Sequence, residues 1–129
     1  DAIQFGLAKQ ASHMVLVPCC QAEVAGVMRK HKALSLSRTP LAELWRHPLH
    51  TREFGSQITN VLRCLQLEAQ GYSVTVTELV GWEHSLKNEL ILARRMGSDR
   101  HGTQERARQR LQQVLDELHL QELTQRFAA

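Results

Sequence analysis

Only eight residues, 81 to 88 (GWEHSLKN), separate two stretches of strand character. Tyr72 to Val80 alternates, with Val74, Val76 and Val80 set apart by Thr75 and Thr77, the period of a half-buried strand. Glu89 to Arg95 (ELILARR) forms a second strand, with a helix as the alternative reading of the same residues. A connection that short carries no crossover back to the other end of a sheet, so the two strands are predicted to run antiparallel.

The residues before this pair supply its supports. His50 to Gln70 is the strongest helix: Phe54, Ile58, Val61, Leu62, Leu65 and Ala69 recur at spacings of three and four. Gly71 stops it, as glycine commonly does just past a helix end. Met14 to Val17 is an apolar run of strand length, rich enough in valine for a buried parallel strand. Residues 1–11 are predicted helical on Ile3, Leu7 and Ala8, and Gln21 to Lys30 on Ala22, Val24, Ala25 and Val27. Pro40 and Pro48 break residues 31–49 into loop with a short helix near Leu41 to Trp45. Gln104 to Leu118 is helical, with Ala107, Leu111, Val114, Leu115 and Leu118 on one face, and Leu120, Leu123 and Phe127 suggest a short closing helix. The alternation of helix and strand predicts a three-layer α/β fold. Residues 1–97 form its α/β part and residues 98–129 a helical tail packed on it.

At 129 residues the chain has the size of one domain, and its 43% hydrophobic residues suffice for a core. No apolar run approaches the roughly 20 residues of a membrane span. A formal charge of +3 and a pI near 9.0 are compatible with nucleic acid as a partner. Three cysteines, two of them adjacent, make no disulfide framework and point to a reducing, cytoplasmic setting. The chain opens DAIQFGLAKQ, inside an amphipathic helix, and reads as a piece of a longer protein.

Two motifs carry a resemblance. Pro18-Cys19-Cys20-Gln21 closes the first strand, and Glu83-His84-Ser85-Leu86-Lys87-Asn88 precedes the last. With Thr59-Asn60-Val61-Leu62-Arg63 on the long helix and Gly71-Tyr72 before the next strand, they resemble the C-terminal half of a family of class I S-adenosylmethionine-dependent methyltransferases. That family carries Pro-Cys-Cys-His or Pro-Cys-Cys-Gln, Thr-Asp-x-x-Arg, and Glu-His-Thr-x-Lys-Asn, and is related to a tRNA 2′-O-methyltransferase family. The likeness covers about residues 1–95. Asn60 stands where the family has aspartate, and Ser85 where it has threonine. The resemblance implies a Rossmann-like sheet whose reversed last strand, 89–95, lies between 14–17 and 73–80, antiparallel to both. It implies S-adenosylmethionine as cofactor and RNA as acceptor. The glycine-rich turn and ribose-binding acid that hold the cofactor would lie upstream, since this chain has no G-x-G. The outer edge of strand 14–17 is then expected to be covered, by a second copy of the chain or by an N-terminal part of the protein.

Cys19, Cys20 and Gln21 sit at the carboxyl end of a strand, the edge where open α/β sheets bind ligands. Pro18 to Gln21 are therefore candidates for the acceptor-side wall. The alternative is one cysteine packed as a small hydrophobe and its neighbour facing the pocket without chemistry. No base partner marks either as a nucleophile. Glu83, His84, Lys87 and Asn88 are candidates for the same wall, or form a solvated turn closed by Asn88. Trp82 packs on the sheet or stacks on a base. Zinc is disfavoured, because adjacent cysteines lack the C-x₂₋₄-C spacing that lets two thiolates reach one ion. Arg52, Arg63, Arg94, Arg95, Arg100, Arg106, Arg108 and Arg110 are read mostly as solvated helix surface. The rival function is a non-catalytic α/β interaction module that lacks the cofactor-binding half.

Overall fold

A computed structural model of the protein describes residues 2–18, 22–31, 38–79, 89–97 and 102–128. Their order is α1 (Ala2–Ala8), β1 (His13–Leu16), α2 (Glu23–His31), a 3₁₀ turn (Pro40–Trp45), α3 (Pro48–Ala69), β2 (Tyr72–Glu78), β3 (Glu89–Arg95), α4 (Thr103–Glu117) and a closing 3₁₀ turn (Gln121–Leu123). The fold is mixed α/β with a small antiparallel sheet. Glu89–Arg95 is a strand and not a helix, and it lies in the middle of the order β1-β3-β2, antiparallel to both neighbours. The register sets Val15 opposite Leu92 and Leu92 opposite Thr75.

α3 begins two residues earlier than its apolar pattern suggests. Pro48 occupies its first turn, where a missing N–H costs nothing. The buried Thr51 hydroxyl donates to the carbonyls of Leu44 (3.0 Å) and His47 (3.4 Å), tying the 3₁₀ turn to the helix. At the other end Gly71 takes φ +89°, a conformation a side chain would strain, and its N–H donates to the Glu68 carbonyl. The chain thereby turns directly into β2.

Two cores form on opposite sides of α3. Leu62 and Leu65 join Val24 and Met28 of α2, Leu111 and Leu115 of α4, and Leu120, Leu123 and Phe127 of the tail. Leu67, two residues past Leu65 and so about 200° around the helix, packs with Ile3, Met14, Tyr72, Ile91 and Ala93 under the sheet. Tyr72 Oη donates to the Ala11 carbonyl at 2.6 Å, which fastens β2 to the link between α1 and β1. Val61, expected on the core face, is instead 44% exposed, because the stripe it belongs to is wider than the contact with α4.

β1 pairs with β3 in the antiparallel sense that the resemblance implied, but departs from the expectation of a strand buried on both faces. Its partner is the antiparallel β3, and among the described residues no strand lies on its outer side. Met14 is buried against α1 and the sheet core, while Val15 and Val17 are 65% and 60% exposed. The face that carries Val15, Leu92 and Thr75 is covered by no helix among the described residues, since α1 and α3 both pack beneath the sheet.

α2 crosses α3 at contact distance. A Cβ added at Gly55 would lie 2.6 Å from the Ala25 Cβ and 2.8 Å from its Cα, so backbone would have to move. A Cβ at Gly26, on α2, would meet nothing. The two helical glycines should therefore respond with opposite signs. Gly55→Ala should destabilise by about 1–3 kcal/mol through overpacking. Gly26→Ala should stabilise by about 0.5–1 kcal/mol through helix propensity. Urea denaturation of both variants checks this, and a stabilised Gly55→Ala would refute the close crossing.

Candidate functional site

The carboxyl end of β1 opens into a cleft of about 880 Å³. Leu16, Val17 and the half-buried Pro18 form one wall, the start of α1 (Ala2, Ile3, Gln4) a second, and Arg63 of α3 with Gln125, Arg126 and Ala128 of the tail the rest. Of the candidate wall residues, Pro18 is the one that lies among the described residues, and it lines this cleft. Cys19, Cys20, Gln21, Glu83, His84, Lys87 and Asn88 lie outside the described residues, as does Trp82.

Arg63, one of eight arginines read mostly as solvated surface, is 9% exposed. Its Nη1 donates to Asn60 Oδ1 at 3.0 Å, and Asn60 Nδ2 donates to Glu89 Oε2 at 2.5 Å. The chain of bonds joins α3 to the first residue of β3. Asn60 thus needs a donor on one side and an acceptor on the other, which an amide has and a carboxylate lacks. The Thr59 hydroxyl is used locally, donating to the Gly55 carbonyl at 2.7 Å. The spacing of Asn60 and Arg63 announces their pairing one turn apart, but nothing local announces Glu89.

The charged groups lining the cleft are two guanidiniums. Arg126 Nε lies 3.5 Å from Glu23 Oε2, at the start of α2. Among the described lining residues the two guanidiniums are the charged side chains, a lining compatible with an anionic group. Among the described lining residues there is neither an acid for the ribose hydroxyls nor a glycine turn for close backbone approach, so these residues do not fit S-adenosylmethionine by themselves. Among the described residues no three His, Cys, Asp or Glu side chains gather as metal ligands, and no helix is long and apolar enough to cross a membrane.

Cys64, one residue beyond Arg63 and so about 100° around α3, lines a different hollow together with Asn60 and Glu89. Burial pushes its thiol up from an ordinary 9.0 to about 11, with Glu89 and Glu68 adding to the rise and Arg63 opposing it. The thiol is neutral at physiological pH and a poor nucleophile. No protein-family model matches the chain, and no curated protein or solved structure matches it.

Two outcomes are expected. Asn60→Asp should set two carboxylates against each other and lower stability by about 1–3 kcal/mol at neutral pH, and adding Glu89→Gln should restore most of it. Denaturation of the single and double variants checks the coupling. The raised thiol pKa makes the folded state hold its proton longer than the unfolded chain. Stability from this group is full below the unfolded value and is lost as pH rises toward about 11. Cys64→Ala should remove that alkaline loss, measured as the difference between urea midpoints at neutral and alkaline pH.

Proposed function

We propose that this chain forms the acceptor-side part of a class I S-adenosylmethionine-dependent methyltransferase acting on RNA. The observation that carries the reading is the sheet: a reversed strand, β3, inserted between two strands to which it is antiparallel, with Pro18-Cys19-Cys20-Gln21 leaving the neighbouring β1. This is the order expected of the Rossmann-like sheet that the motifs resemble. The arginine-lined cleft at the carboxyl end of β1 supports an anionic acceptor such as RNA. In this reading Pro18 to Gln21 and Glu83 to Asn88 wall the acceptor, and the cofactor is held by residues outside this chain. The outer edge of β1 takes a further strand, from an upstream part of the protein or from a second copy.

The chain's own residues hold and orient the acceptor. Methyl transfer requires in-line placement and no covalent enzyme intermediate. Cys19 and Cys20 are thus given a positioning role.

Calorimetry on the chain alone should show no micromolar binding of S-adenosylmethionine. Tight binding would overturn the assignment of this chain to the acceptor side. In the complete protein, Cys19→Ser and Cys20→Ser should lower RNA methylation by about tenfold while leaving cofactor affinity unchanged. Unaltered turnover in both variants would remove these residues from the site, and absence of any methyl transfer by the complete protein would favour the interaction module.

A further inference from the structure

On the other side of α3 from the arginine cleft lies a larger open groove of about 1200 Å³. It runs between α3, α4, the Pro40–Trp45 turn and the ends of β2 and β3. Its apolar lining is incompletely covered: Leu41 is 54%, Val61 44% and Val76 52% exposed. Ile58, Val61 and Leu65 follow one another at spacings of three and four along α3, opposite Val114 and Leu118 of α4. Two such rows leave a furrow of the kind that accepts the ridge of a third helix.

The charge of the groove runs against that of the chain. Among the described residues its lining carries Glu68, Glu89, Asp116 and Glu117 against one cation, Arg110, a formal charge of −3 for those side chains on a chain whose total is +3. Arg110 is itself engaged by the Glu68 carboxylate. The Cys64 thiol in the wall stays neutral and leaves that charge unchanged.

We propose that this groove docks a cationic amphipathic helix of a partner protein, its apolar face on Val61, Val76 and Leu41 and its lysines or arginines toward the carboxylates of the rim. Apolar floor and acidic rim select that chemistry together: an acidic helix is repelled, and a nucleic acid backbone is repelled more strongly. The proposal does not depend on the methyltransferase reading. It concerns the face opposite the arginine cleft and would hold for either function.

The test uses a fluorescein-labelled synthetic helix of leucines and lysines arranged amphipathically, its leucine–glutamate counterpart, and a scrambled leucine–lysine peptide of the same composition. Anisotropy should show saturable binding of the first peptide alone, weakening as salt is raised. Val61→Arg and Asp116→Lys, both at exposed side chains, should each weaken binding by about tenfold, whereas Thr75→Lys on the opposite sheet face should not. Melting curves confirm that the variants fold, and amide NMR shifts should map to residues 57–68 and 110–118. Equal binding of the scrambled peptide, unaltered affinity in both groove variants, or shifts centred on the sheet's outer face would overturn the proposal. Concentration-dependent dimerisation abolished by Val61→Arg would overturn it too, by making a second copy the occupant.

Discussion

The whole arrangement depends on α3 being buried from two sides at once. Leu62 and Leu65 enter the helical core, and Leu67 enters the core beneath the sheet. An exposed amphipathic helix needs one apolar stripe, but a helix between two layers needs two, and α3 fits its second face with what its sequence offers. Buried Gln66 donates its amide to the Ala128 carbonyl, and buried Thr59 returns its hydroxyl to the helix backbone. Polar residues are tolerated there because each is hydrogen-bonded.

The same double burial brings the charged groups together. Arg63 reaches the cleft at the end of β1 while its partner Asn60 meets Glu89 at the start of β3. Buried charge is costly unless bonded, and the relay through Asn60 supplies the bonding without placing two carboxylates side by side. α3 therefore separates a cationic cleft from an acidic apolar groove, each with its own affinity for charge. The relay also fixes where the central strand starts relative to the helix beneath it. Any ligand that engages Arg63 acts on a side chain already held by β3, so the cleft is built on the rigid part of the fold.

β1 is where the fold is least self-sufficient. It contributes Met14 to the core and leaves Val15 and Val17 open, beside an edge with no strand on it among the described residues. The strand carries neither lysine nor an internal proline to blunt that edge. Pro18, just past this edge strand, lines the cleft, so the open edge borders the candidate site.

Much of this was legible in the sequence. The 3.6-residue pattern of α3 and α4, the alternation of β2 and its short link to β3 determined the helices, the strands and their antiparallel pairing, because these depend on local periodicity and chain reach. Pro18, two residues past β1, lines the cleft at that end of the strand. Tertiary structure alone decided the rest. Whether Arg63 was surface or core depended on the tail folding back over α3, and Val61 was left facing the open groove between α3 and α4. The bond from Asn60 to Glu89 joins residues 29 apart in the chain. Sequence spacing encodes neighbours within one element; contacts between elements are set by how the layers pack, and no local pattern carries that information.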